Sequence, residues 1–375
     1  MRMASLCLAL AGCCNLHIAC ISPDIPEVTR SWSSSLGITM EHFPAPVSDG
    51  TIDWYRHARS IVTTNNLRHH PEEQLFFNTV LNRLKPDMVW LETPYLLRYV
   101  LSWMDETPVV VDYWGTSEGA RRLFEHSRGF KKVKEWLKWW IASGSERRYA
   151  SVLHDLVCVS KLDAQYFISI APQCRIWPIP IGIEEKQILP IEEANREDPL
   201  SMIITGDLSY PPNVDAALFF ADHIFPQIQK ELSEAVFRIV GRNPSPSILR
   251  LQGRPGIETL GYVPYLSQII SQSSIYVLPM RLGSGIRSKL FDVFPLAKAI
   301  VTTSIGAEGL ELRHGENCLI ADKEIDFAQC CIRLLTDEGE RTKLGSGAKR
   351  LATEVYHQEK INALVKETIN AVMCI

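Results

Sequence analysis

The stretch Pro279-Met280-Arg281-Leu282-Gly283-Ser284-Gly285-Ile286-Arg287-Ser288-Lys289-Leu290-Phe291-Asp292 decides how this chain reads. An apolar, β-rich run at 274–278 leads into Pro279, passes two glycines one residue apart, and enters a segment of helical spacing that opens with two cations. Unpaired N–H groups and the positive dipole end at a helix start attract phosphate. Gly283 and Gly285 let a ligand approach the backbone, and Ser284 lies between them. Arg287 offers a planar fork for phosphate oxygens and Lys289 a mobile point charge. Asp292 follows Lys289 by three residues, which places both on one face of the expected helix, starting near Ile286. A diphosphate beside the cations and a sugar hydroxyl beside the carboxylate fit this pattern, although strand–glycine–helix turns with solvated charges are also common in proteins.

Working outward, the second half alternates short apolar runs with helical segments: strands near 201–206, 235–242, 257–263, 274–278 and 299–303, with a helix at 214–224. The first half has the same rhythm, with strands at 16–22, 39–43, 87–92, 108–112, 155–160 and 175–182, and helix over most of 52–84. Ser160 is the expected N-cap of the helix after 155–160. Residues 184–199 are polar and acidic without apolar periodicity, and read as a linker. The expected organisation is therefore an N-terminal domain 1–183, a linker 184–199 and a second domain 200–354. A final helix within 346–373 returns to the first domain, its segment from about 355 to 375 packing there. Parallel strands present ligands at their carboxyl ends, so a ligand is expected in the cleft where the strand ends of the two domains face each other. Glu92 and Asp112 each close a strand in the first half; each is read either as a cleft carboxylate or as a helix cap.

Composition narrows the function classes. The chain has 375 residues, 46% hydrophobic and 22% charged, with a formal charge of −4, which supplies no global basic field for nucleic acid. Its ten cysteines lack CxxC pairs or histidines at ligand spacing, so they read as reduced core thiols of a cytoplasmic protein with no structural metal. No apolar run approaches a membrane span. Residues 127–140 are the one strongly biased segment, with five cations, one acid and Phe130, Trp136, Trp139 and Trp140. Val133, Trp136, Leu137 and Trp140 share one helical face and Lys131, Lys134 and Lys138 lean toward the other, the pattern of an interfacial helix on an anionic membrane or of a packed amphipathic helix with a solvated lysine face. The first residues read either as a helix at 3–12 feeding the strand at 16–22, or as an export segment with a lipoprotein-like Leu10-Ala11-Gly12-Cys13.

The second half resembles the retaining glycosyltransferases of family 4, most closely those of bacterial exopolysaccharide clusters. Gly206 through Ala216, Ile239 through Pro244, Leu260-Gly261-Tyr262-Val263, Gly283 through Asp292 and Thr303 through Leu310 carry the resemblance in order. Glu146-Arg147-Arg148 with Asp155 through Ser160 extends it more weakly into the first half. It implies the GT-B fold, an α/β architecture of two facing Rossmann-like domains with parallel sheets. It also implies a nucleotide-sugar co-substrate, no cofactor or metal, and a polysaccharide or lipid-linked sugar acceptor; the reduced cysteines and the segment 127–140 place the expected protein in the cytoplasm or on the inner membrane face. By this resemblance Gly206 faces the phosphates, Gly261, Tyr262 and Val263 lie near the base, and Arg287 and Lys289 neutralise the diphosphate. Asp292 stands where the family has a ribose-binding Glu. Asp112 would be an acceptor-side group. Arg287→Ala is expected to abolish transfer at nearly unchanged thermal stability.

The sequence departs from the pattern at Asp292, at Pro295 inside the expected helix, and at Ala297 in place of a glycine. Members normally begin with a strand and a Gly-rich, Arg-containing loop. This chain reads as starting in the helix after that loop, so the first sheet is expected to lack its N-terminal strand. A non-catalytic nucleotide-sugar-binding protein is the alternative. A dinucleotide oxidoreductase is poorly supported, since Ser288 stands where a third glycine is needed.

Overall fold

The computed structural model describes residues 2–22, 24–44, 71–188 and 197–374, the side chains of Lys131 and Ile188 apart. Part of the helix expected over 52–84 lies outside the described residues, and the described part is helical from Pro71 to Leu84. The chain divides into two units, Met1–Gly182 with Glu359–Ile375, and Ile183–Gln358.

In the first unit, β1 (His17–Ser22) and β2 (Thr39–Pro44) form a parallel pair of their own. The strands β3 (Val89–Leu91), β4 (Val109–Tyr113), β5 (Asp155–Cys158) and β6 (Arg175–Pro178) form a parallel sheet in sequence order. The alternation of side chains along β4 builds two cores. Val109, Val111 and Tyr113 pack with Leu97, Leu156 and Phe167 on one face. Val110 packs on the other with Leu6, Leu10, Val157, Ile179, Ile361 and Val365. All five residues of β4 are buried, which is why Val109, Val110 and Val111 read as an apolar run before Asp112. The first residues form the helix Arg2–Ala11, whose Leu6, Ala9 and Leu10 belong to that second core. Ser160 caps its helix by accepting from the Asp163 N–H at 3.1 Å.

In the second unit, β7 (Asp198–Thr205), β8 (Val236–Val240), β9 (Ile257–Gly261), β10 (Ser273–Leu278), β11 (Ala299–Thr302) and β12 (Leu319–Ile320) form one parallel sheet in the order β12-β11-β10-β7-β8-β9. The chain lays down β7, β8 and β9 outward on one side, then returns to place β10 against β7 and builds the other side. The topological switch therefore falls between β7 and β10, where doubly wound sheets bind ligands. β7 begins at Asp198, so the expected linker is already sheet at its end.

Three helical expectations change, each at an identifiable residue. The helix expected at 214–224 is Pro211–Phe219 followed by a wider π turn at Phe220–Ile224 and a further helix Phe225–Glu231. Pro226 has no N–H to continue the regular ladder. The final helix is not continuous over 346–373: Glu338–Arg350 passes through a π turn at Leu351–Val355 and breaks before Gln358–Met373. At the break the Tyr356 ring stacks on Phe294 and meets Phe291 edge-on, and Ile183 donates its N–H to the Tyr356 carbonyl at 2.7 Å. The third change lies in the site itself.

Candidate functional site

Gly206 follows β7 at φ +149, a conformation that L side chains rarely adopt, and a Cβ there would displace the side-chain ends of Asn213 (Nδ2 at 2.7 Å) and Lys289 (Nζ at 2.9 Å). Asn213 joins the two sides of the switch point. Its Nδ2 donates to the Asp207 carbonyl at 2.9 Å, and its Oδ1 accepts from Lys289 Nζ at 2.7 Å. Lys289 is thereby fixed above the end of β7, although 83 positions separate it from Gly206 in the sequence. Burial first, and the positive Arg287 second, push the Lys289 ammonium down from its ordinary value to about 7.

The loop after β10 is shaped by Gly283 (φ +93) and Gly285 (φ +72), with the half-buried Ser284 between them. The helix expected to start near Ile286 does not form. Residues 281–289 are loop and turn, the helical stretch is only Leu290–Val293, and a 3-10 turn Phe294–Leu296 follows. Pro295 removes the N–H that would bond the Phe291 carbonyl and its ring clashes with that carbonyl, so the helix cannot propagate. Any anion held here relies on side-chain cations and loop backbone, and the expected helix-dipole contribution is small.

Arg287 also differs from expectation. It is 8% exposed, and its Nη1 and Nη2 donate to the carbonyls of Ser284 (3.0 Å) and Ile305 (3.1 Å). The guanidinium braces the glycine loop against the turn Ser304–Ala307. Thr303 completes that brace, donating from Oγ1 to the Met280 carbonyl at 2.6 Å. Asp292, half-buried beside this loop, has its carboxyl pushed up to about 6 by burial. Gly261 ends β9 with φ +65, Tyr262 is exposed and Val263 half-buried.

The first unit offers a different picture. Asp112, at 0% exposure, receives Arg2 Nε on Oδ2 at 2.7 Å and Arg2 Nη2 on Oδ1 at 2.5 Å, while Arg2 Nη1 reaches the Ile179 carbonyl at 2.7 Å. Asp112 thus closes a buried ion pair that fastens the helix Arg2–Ala11 to β4 and to the residue after β6. Glu92, next to it, does not cap the following helical turn, which Thr93 does. Burial and the neighbouring Asp112 charge push the Glu92 carboxyl up to about 7. Glu146 is buried, accepting from the Ser117 N–H and from Tyr166 Oη, both at 2.6 Å, so it pins the loop after β4 to the long helix Gly129–Ala150.

Gly206, Lys289 and Arg287 stand out in the sequence, whereas Asn213 and Arg2 do not. Asn213 lies two residues after Pro211, in a stretch that reads as an ordinary helix start, and only strand order shows what it faces. Arg2 reads as a lone positive charge before an apolar run.

Residues 199–337 match the family model of glycosyl transferases group 1. A 44.6 kDa protein from the cps region of Klebsiella pneumoniae is 23% identical over 176 residues, 44% of this chain and 45% of that relative, so the match spans less than half the relative's length. Anabaena HepE, solved in complex with UDP and glucose, superposes with a TM-score of 0.61 at 13% identity, over 94% of this chain and 99% of HepE. WaaG, a glycosyltransferase involved in lipopolysaccharide biosynthesis, gives 0.60 at 12% identity, over 93% and 99%. The chain thus has an α/β fold with parallel, Rossmann-like parts that matches GT-B glycosyltransferase structures, and its residues 199–337 resemble the glycosyl transferases group 1 domain.

Proposed function

We propose that this protein is a hexosyl- or glycosyltransferase that moves a sugar from a nucleotide-sugar donor to a polysaccharide or lipid-linked sugar acceptor, with retention and without a metal ion, on the cytoplasmic side of the membrane. The observation that carries the reading is the Gly206–Asn213–Lys289 contact at the β7/β10 switch point. There a compact cation is held by Asn213 beside the glycine that follows β7. HepE, similar in fold, was solved with UDP and glucose, which supports a nucleoside diphosphate sugar as donor.

The chemistry follows from the charges. As the bond from sugar to diphosphate breaks, negative charge grows on the departing phosphate oxygen. A cation already fixed beside it stabilises that charge without reorganising. Lys289 takes this part, Arg287 keeps the glycine loop in shape around the phosphates, and Asp292 lies close enough along the chain to receive ribose hydroxyls. Gly283, Ser284 and Gly285 would approach the diphosphate through their backbone, and Gly261, Tyr262 and Val263 would border the base. No side-chain nucleophile is assigned.

The direct test is incubation with radiolabelled UDP-sugars, GDP-sugars and ADP-sugars in the presence of EDTA, with released nucleotide and labelled product measured. Turnover that survives EDTA and disappears in Lys289→Ala is expected. Turnover that persists in Lys289→Ala overturns the assignment. The closed Arg2–Asp112 pair favours a second reading, a nucleotide-sugar-binding protein without transfer activity, because both oxygens of that carboxylate are engaged by Arg2. Calorimetry showing UDP binding, with no hydrolysis or transfer of any donor sugar, would select it.

A further inference from the structure

Residues 129–140 of the segment 127–140 form the start of the helix Gly129–Ala150, and the helix is inverted relative to one that packs its apolar side inward. Glu135, the only acid of the segment, is 7% exposed and pairs with Lys138 at 2.9 Å. Phe130 is 97% exposed, Val133 63%, Trp140 53%, Trp136 44% and Leu137 37%. At 3.6 residues per turn these five fall within an arc of about 120°, with Lys132 about 40° beyond one edge and Lys134 about 40° beyond the other. Further along, Arg147 and Arg148 return to the same arc, both exposed. The opposite side is already occupied: Trp139 stacks on Phe124 at 5.8 Å and 7°, and Glu146 and Tyr149 are buried.

An apolar stripe of tryptophan, phenylalanine and aliphatic side chains, rimmed by cations on both flanks, matches the headgroup boundary of an anionic bilayer. Long lysine and arginine stems reach outward from such a stripe to headgroup phosphates while the rings sink below them. A second copy of the chain fits less well, because a two-fold contact through this face would set the cationic rim of one copy against that of the other. None of the helices among the described residues is long and apolar enough to cross a membrane, so contact would be made in the plane of the surface.

We propose that the helix Gly129–Ala150 docks the protein on an anionic lipid bilayer, with Phe130, Val133, Trp136, Leu137 and Trp140 immersed and Lys132, Lys134, Arg147 and Arg148 on the headgroups. This surface belongs wholly to the first unit and stands independently of the donor site.

Sedimentation of the full chain with vesicles tests it, comparing phosphatidylcholine alone with phosphatidylcholine mixed with phosphatidylglycerol. The wild type pellets with the anionic vesicles and is released by added salt. Lys132→Glu combined with Lys134→Glu lowers partitioning by at least about fivefold. Phe130→Ser with Trp136→Ser and Trp140→Ser abolishes it, while the melting temperature and UDP affinity stay at wild-type values because these side chains face outward. Phe130→Trp retains binding. Wild-type protein that stays in the supernatant with both vesicle types overturns the proposal. So does a wild-type dimer in light scattering that the triple serine variant dissociates, since a second copy would then cover the face.

Discussion

At the scale of single residues, the donor-side reading turns on Lys289 and on what holds it. With its folded-state pKa near 7 against an ordinary value of 10.5, Lys289 releases its proton more readily in the folded chain than in the unfolded one. Between those two values the unfolded state binds more protons, so this group makes stability rise with pH from about 7 upward, and Lys289→Met should flatten that part of the profile. A bound diphosphate reverses the balance by favouring the ammonium. UDP binding at pH 8 should therefore take up a proton, visible as a calorimetric heat that changes with the ionisation enthalpy of the buffer; a buffer-independent heat would mean that Lys289 does not meet the phosphates. Asn213→Ala removes the acceptor of the Lys289 ammonium, and UDP affinity is expected to fall about tenfold. Its pH midpoint should move down as well, which a merely structural asparagine would not cause. Arg287→Ala is expected to abolish transfer, but the bracing contacts to Ser284 and Ile305 change the expectation for stability: losing them should cost about 1–3 kcal/mol in denaturant unfolding.

At the scale of elements, the segment 290–298 shows how two local departures from a regular helix are accommodated. Pro295 ends the helix after Val293, and Ala297 then takes the left-handed conformation, φ 54 and ψ 34, where an L-residue is strained. Gly345 on the helix Glu338–Arg350 lies against it so closely that a Cβ would stand 1.9 Å from the Ala297 carbonyl oxygen. Ala297→Gly should therefore raise stability by about 1 kcal/mol. Gly345→Ala should lower it by about 2 kcal/mol or more, because backbone on both sides would have to move. Urea denaturation followed by circular dichroism reads both signs, and a destabilising Ala297→Gly would refute the strain argument. The two changes are legible in the sequence only in part. Pro295 announces the end of a helix by its missing donor, whereas the need for glycine at 345 appears only once the helix is packed.

At the scale of the whole molecule, the chain leaves its first unit after Gly182 and returns to it at Glu359, so the first core depends on residues from both ends of the sequence. Leu6 and Leu10 share a cluster with Ile361 and Val365, the last two fully buried. Ile361→Ala should lower the stability of the first unit by about 2–4 kcal/mol while leaving UDP affinity in the second unit unchanged. Thermal unfolding with and without UDP measures the two separately, and equal loss of both would show that the units do not respond independently. The sequence by itself determined the parallel α/β class, most strand positions, the glycine loop after β10 and its cations. Those follow from local rules: buried parallel strands must be apolar runs, and glycines and prolines mark where the backbone turns. Only the tertiary structure decided which distant groups meet. The order β12-β11-β10-β7-β8-β9 sets Lys289 on Asn213 above Gly206, and the packing of the first helix gives Asp112 to Arg2. Packing also decided which face of the helix Gly129–Ala150 turns outward. Its periodicity defines an apolar stripe but is the same whether that stripe faces a core or the solvent.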